Sequence, residues 1–330
     1  MKVAAATVRD PVVTLVAPAR QLTSGDDFSQ ADLALIDRTV TALSARGWRV
    51  KEAANLRCMD HRFAGTDAER AAGVQAAFAD PETDLVLALR GGYGTARLLP
   101  LLDWEALSES YAAFVGLSDL TAFNLALYAR TGGSSWQGPV ARMFAEENAV
   151  RDEAFQRALS STDFFFQCSE ERGARFAADG VLWGGNLTVL VSLLGTPWFP
   201  QIDGGILFIE DVGEPAWRVE RLLLQLMQSG VLSCQRAILA GSFTGADKTA
   251  GAGKGRFALS DALDWIEKEA KLPVAAGLPF GHRADTMMIP VGVAARVTAA
   301  DGRLELAASG CLVPASTPWR EAPPADLWWH

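Results

Sequence analysis

The chain of 330 residues is 49% hydrophobic and 21% charged, and its 30 Lys and Arg against 39 Asp and Glu leave a formal net charge of −9. This is a globular composition with room for two domains at roughly 150 residues each. The acidic balance argues against a nucleic-acid partner, because binding a phosphate backbone needs a basic stripe that releases counterions. Apolar runs such as VLVSLLG (189–195) fall far short of the ~20 residues of a membrane span, and Arg9, Asp10 and Pro11 interrupt the N-terminal run before it reaches signal-peptide length. A soluble, cytoplasmic protein with a small-molecule or peptide ligand is expected, with no membrane partner.

In chain order, VVTLVAP (12–18) reads as a buried strand and QADLALIDRTVTALSARG as a helix stopped at Gly47. WRVKEA suits a short strand, and Thr66 with Glu69 has capping-box spacing at the start of a second helix. DLVLALRGGYG (84–94) is a strand entering a glycine turn, and TARLLPLLDW resumes helical spacing. AAFVGLSDLTAFNLALYARTG (112–132) repeats the pattern: strand, sharp turn, amphipathic helix. This alternation predicts a doubly wound α/β unit over 1–150. Residues 151–178 turn charged and then aromatic and are expected to connect domains. A β-rich second unit over 179–330 follows, with strands in GGILFIEDVGEP, RAILAGSF, MMIPVGVAARVTA and GRLELAA, and helices in WRVERLLLQLMQSG and SDALDWIEKEA. The glycine-rich stretch 241–256 reads as a mobile loop, and the proline-bearing tail after Leu312 as an extension packed on the surface.

No cofactor is expected. GAGKGR is not a phosphate loop, because Lys254 is followed by Gly255 rather than Ser or Thr. If Gly92 and Gly94 open a dinucleotide fingerprint, Arg97 stands where a small residue must allow close helix packing. The four cysteines, Cys58, Cys168, Cys234 and Cys311, form no C-x-x-C pair, so buried free thiols are expected rather than disulfides or a metal site.

Another chemistry suits the glycines better. A strand ending in Arg90-Gly91-Gly92 presents backbone N–H groups at the carboxyl edge of a sheet, where one could face an oxyanion; a tight turn needing positive φ accounts for them equally. Gly116-Leu117-Ser118-Asp119 resembles a nucleophile elbow, with Ser118 on the turn and the Asp119 N–H in the first turn of a helix. Ser and Asp are also ordinary helix caps. An activated serine needs a base and the base an orienting acid. Of the three histidines, His61 stands in a charged stretch and His330 is the last residue, so His282, beside Gly281 and ahead of a strand, is the best base. Glu210, ending an apolar strand, is the candidate acid. Asp211 would point to the opposite face, and Glu214, past Gly213, remains an alternative. Two other classes share parts of this picture. An α/β-hydrolase esterase needs G-x-S-x-G, which Leu120 breaks, and a non-catalytic binding protein needs no triad.

Six segments taken together resemble the LD-carboxypeptidase family of serine peptidases, which includes the microcin-C self-immunity peptidases. They are AGTDAERAAGVQAAFADPETDLVLALRGGYGTARLLPLLDW, FVGLSDLTAFNLALYA, the Gly138-Pro139 pair, LWGGNLTVLVSLLGTPWFP, GGILFIEDVGEPAWRVERLLLQL and LPFGHRADTMMIPVG. The resemblance implies a Ser118, Glu210, His282 triad and an oxyanion hole from the Gly92 and Asp119 N–H groups. It implies an N-terminal Rossmann-like or flavodoxin-like domain, a C-terminal domain of swivelling β-barrel character, and a homodimer. It also implies one of two substrates: murein tetrapeptide, losing its terminal D-alanine in cell-wall recycling, or an aminoacyl-nucleotide amide. Trp136, where the family commonly has histidine nearby, and Trp183, where a smaller apolar residue is usual, are departures. Either could stack on a substrate ring or pack in the core, and Arg90 could contribute positive charge to a substrate pocket.

Overall fold

The computed structural model describes residues 10–22, 29–251 and 255–318. The first strand, β1 (Val12–Val16), is buried at every position, as a strand covered on both faces should be. Helix α1 (Gln30–Ala45) begins at a capping box made by Ser29 and Asp32 and leads to β2 (Arg49–Glu52). The expected capping box at Thr66 and Glu69 opens α2 (Asp67–Ala79), and β3 (Leu85–Ala88) is buried throughout. The segment read as a helix at TARLLPLLDW instead makes two 3-10 turns, Thr95–Arg97 and Leu99–Leu101. Pro100 has no N–H for an α-helical bond, which favours short, tight turns. Then come α3 (Trp104–Ser108), β4 (Ala113–Gly116), α4 (Thr121–Thr131) and β5 (Ser135–Gln137). Gly132, at φ 68°, ends α4 in the left-handed conformation.

Residues 151–178, expected to connect domains, hold most of α5 (Ala149–Leu159) and all of β6 (Phe164–Ser169). The chain continues through β7 (Phe176–Asn186), α6 (Leu187–Ser192), β8 (Gly205–Val212), α7 (Ala216–Gln228) and β9 (Gln235–Thr244). The last elements are α8 (Leu259–Ala270), β10 (Val274–Ala276), β11 (Ile289–Val291), β12 (Val293–Ala300) and β13 (Arg303–Ser309). Of the glycine-rich stretch, 241–244 complete β9 and Ala246–Thr249 form a 3-10 turn; residues 252–254 lie outside the described residues, as does the tail from 319 onward.

The elements form two sheets. The first has the order β11-β5-β4-β3-β1-β2; all its neighbours are parallel except β11, which runs antiparallel to β5 with Pro290 opposite Trp136. Proline is admissible there because an edge strand has one side without a ladder. Residues 289–291, from the second half of the sequence, thus complete the first sheet. The second sheet has the order β10-β9-β8-β7-β12-β13-β6, parallel from β10 to β7 and antiparallel from β7 to β6. Its two edge strands meet just past Ser169: Glu171 N–H donates to Ala276 O (3.2 Å), and Ala276 N–H donates to Glu170 Oε1 (3.1 Å). One continuous hydrophobic core runs through both sheets. No helix among the described residues is long and apolar enough to cross a membrane.

Candidate active site

The carboxyl ends of β3 and β4 carry the two turns singled out in the sequence. After β4, Leu117 is extended and Ser118, left-handed at φ 65°, opens a 3-10 turn (Ser118–Leu120) that runs into α4. A non-glycine residue in this conformation stores on the order of 1–3 kcal/mol of strain and persists only where its surroundings hold it. They do so through close packing. A Cβ on Gly91 would lie 2.9 Å from Leu117 O and from Ser118 Cβ, and one on Gly116 would lie 2.5 Å from Leu120 Cβ. Asp119 adds a tether, its buried carboxylate accepting from Thr95 N–H at 2.8 Å and so joining the serine turn to the Gly92–Gly94 turn. Burial pushes the Asp119 carboxyl above its usual range, against the opposing effect of the Thr95 bonds.

The second sheet delivers the acid. Glu210, near the end of β8, is fully buried; its Oε2 lies 2.7 Å from His282 Nδ1, and His282 Nε2 lies 3.0 Å from Ser118 Oγ. His282 sits between β10 and β11. Gly281 before it has φ 125°, and a Cβ there would stand 2.8 Å from Glu210 Oε2, so only glycine lets the histidine turn approach the carboxylate. With hydrogen on Nδ1, the imidazole donates to Glu210 and offers Nε2 to the serine hydroxyl. Burial lowers the His282 pKa, but the hydrogen bond and charge of Glu210 outweigh it and the net direction is upward; Asp211 adds to the rise and Arg142 opposes it.

Asp211 departs from expectation. The pairing of β8 with β9 is irregular between Ile209 and Asp211, and such an irregularity breaks strict alternation of faces. Both carboxylates therefore meet Asn186, whose Nδ2 donates to Glu210 Oε1 (3.1 Å) and Asp211 Oδ1 (2.9 Å). Glu214 instead lies 2.8 Å from Arg218 Nε, which leaves Glu210 as the acid at the histidine. His61 is exposed, and His330 lies outside the described residues. Of the cysteines, Cys168 and Cys311 are buried as expected, their thiols pushed up to about 12 by burial. Cys58 is only partly buried and Cys234 is exposed, contrary to expectation. No cluster of three or more potential metal ligands occurs among the described residues.

Ser118 and His282 open into a cavity of about 540 Å³ whose wall includes Arg90, Gly92, Arg142, Glu146, Arg151 and Arg283. Arg90, considered as a substrate contact, is on this wall, with its guanidinium donating to the carbonyls of Gln21 and Leu22. The two tryptophans are not. Trp183 is buried, with Nε1 donating to Gln235 Oε1 (2.8 Å) and its ring edge-on to Phe199. Trp136 is buried against Phe164 and donates to Leu312 O (2.7 Å). Both are core residues, and stacking on a substrate is withdrawn for each. Arg142, Arg151, Glu146 and Arg283 were not singled out in the sequence; the signal for the first three was position, since they follow the carboxyl end of β5, where loops collect ligands, and for Arg283 its place beside His282.

Residues 13–138 match the LD-carboxypeptidase N-terminal domain and residues 179–297 the LD-carboxypeptidase C-terminal domain. The murein tetrapeptide carboxypeptidase of Pseudomonas aeruginosa is 30% identical over 299 residues, which cover 86% of this chain and 92% of that one. A muramoyltetrapeptide carboxypeptidase from Oxalobacter formigenes has a similar crystal structure, with a TM-score of 0.79 at 34% identity, covering 90% of this chain and 98% of that one. The microcin C7 self-immunity protein, solved with aspartyl sulfamoyl adenosine, shares the fold with a TM-score of 0.79 at 22% identity, covering 95% of this chain and 100% of that one. The chain belongs to the LD-carboxypeptidase family and is a serine-type carboxypeptidase.

Proposed function

We propose that this enzyme releases the terminal D-alanine of murein tetrapeptide through covalent catalysis by Ser118, His282 and Glu210. Ser118 Oγ attacks the scissile carbonyl as His282 Nε2 takes its proton, and Glu210 orients the imidazole and stabilises the imidazolium. The N–H groups of Gly92 and Asp119 stabilise the tetrahedral oxyanion. His282 then gives its proton to the departing amine, takes one from a water that attacks the acyl-enzyme, and returns it to Ser118 Oγ as the acyl bond breaks. The observation that carries this reading is the unbroken path from Ser118 Oγ through His282 to the buried Glu210, 3.0 and 2.7 Å long. The substrate class rests on the Pseudomonas relative.

Cleavage of an aminoacyl-nucleotide amide is the second reading, favoured by the shared fold of the self-immunity protein. The burial of Trp136 and Trp183 removes the two stacking platforms that spoke for it. The proposal includes a cytoplasmic site of action in cell-wall recycling and a homodimer. It also treats 1–150 as a flavodoxin-like unit, supported by the parallel order β2-β1-β3-β4-β5, and 179–330, with its sheet completed by β6 from the preceding segment, as a unit of swivelling-barrel character, supported by the meeting of that sheet's edges. A paired assay separates the substrates: purified enzyme should release D-alanine from murein tetrapeptide and leave aminoacyl sulfamoyl-adenosine intact. Cleavage of the nucleotide alone, with tetrapeptide untouched at high enzyme concentration, overturns the proposal.

A further inference from the structure

We infer that Arg142 is the receptor for the substrate's terminal carboxylate, and so the residue that makes this site select a chain end. The inference rests on the peptide reading above. A carboxypeptidase must distinguish a free carboxylate from a continuing amide, and that carboxylate lies close to the reacting atoms. Its carbon is two bonds beyond the scissile nitrogen, about 2.5 Å away. A receptor must therefore share the cavity with Ser118 and have hydrogen-bond donors to spare.

Four arginines line that cavity, and three of them are held by partners within the protein. Arg90 donates from Nε to Gly91 O and from Nη1 to the carbonyls of Gln21 and Leu22. Arg151 is buried, held by Asp152 Oδ1 and Glu146 O. Arg283 forms a two-pronged pair with Asp285, both contacts at 2.6 Å. Arg142 differs. It is exposed, and among the described residues its guanidinium makes no hydrogen bond or ion pair. Its backbone is fixed, with N–H donating to Leu89 O at 3.1 Å in the 3-10 turn Ala141–Ala145, so the side chain projects from an anchored base. Arg142 shares the cavity wall with both His282 and Arg90, and its charge is felt at each. A guanidinium with open donors matches a carboxylate in two-pronged geometry. Glu146 is the one acidic side chain on the wall, against four arginines, so the cavity as a whole favours an anionic group.

The test compares tetrapeptide ending in D-alanine with the same peptide ending in D-alaninamide, using wild type, Arg142→Gln and Arg142→Lys. Wild type should prefer the free acid. Arg142→Gln should lower kcat/KM on the free acid by on the order of 10- to 100-fold, mostly through KM, with little change on the amide. Arg142→Lys should recover part of the loss, as a point charge without the fork. Equal loss on both substrates would mark Arg142 as merely structural, and no loss on either would remove it from recognition; both results overturn the inference. Should wild type cleave neither peptide, the peptide reading fails separately. The inference is then decided by binding of the free acid to Ser118→Ala protein, with unchanged affinity on adding Arg142→Gln overturning it.

Discussion

The proton on His282 governs what the site can do, since only the neutral imidazole can accept from Ser118. Glu210 raises the His282 pKa above its ordinary value near 6.5, so kcat/KM should climb with pH and reach half its plateau above that value. The linked stability runs the other way. A group whose folded pKa is raised contributes stability that is fully present below its unfolded pKa and is lost as pH rises through the folded one. Glu210→Gln removes the contribution that outweighs burial, so the acid limb should move down in pH while kcat falls by on the order of 10²- to 10⁴-fold. A pH–rate profile checks both, and an unmoved limb contradicts the assigned partner. At this scale the sequence was informative where a residue's position was unusual: a serine on a turn, a glutamate at a strand end, a histidine after glycine. It was silent on facing. Trp183 is a large aromatic beside a glycine pair, and residue type alone does not say that it turns toward Gln235 and Phe199 instead of the cavity. Asp211 shares Asn186 with Glu210 because of a strand irregularity that no local pattern announces.

Local signals located most elements because each is a short-range physical effect. The Thr66 and Glu69 pair caps α2 from both sides, with Thr66 N–H donating to Glu69 Oε2 (2.8 Å) and Glu69 N–H to Thr66 Oγ1 (3.3 Å). Thr66→Ala should cost about 1 kcal/mol in denaturant unfolding and leave kcat unchanged. Gly281→Ala should do the reverse in emphasis. Its Cβ would enter at φ 125° within 2.8 Å of the Glu210 carboxylate, and displacing that group should cut kcat by on the order of 10- to 100-fold, read by steady-state assay beside a thermal melt. Full activity in that variant would contradict the close approach as a requirement. The elements misread are those where one residue changes the outcome, as Pro100 does in replacing a helix by two 3-10 turns. Composition also misled at 151–178, where β6 alternates buried and exposed side chains behind a charged helix.

Across the whole molecule, the site exists only where the two sheets meet: Ser118 follows a strand of the first, Glu210 lies near the end of a strand of the second, and His282 stands in the passage that returns the chain to β11. That return was not legible, because pairing between 135–137 and 289–291 spans about half the sequence and local periodicity carries no register for it. The assembled site calls for a serine mechanism, so a chelator should leave D-alanine release unchanged. The most direct measurement of the central claim is titration with a fluorophosphonate, with the adduct located by peptide mass spectrometry and activity followed in parallel. One label per active chain, on Ser118, with D-alanine release lost in proportion and with no labelling in Ser118→Ala, is the predicted result. A label elsewhere, or undiminished turnover by Ser118→Ala, would contradict the account.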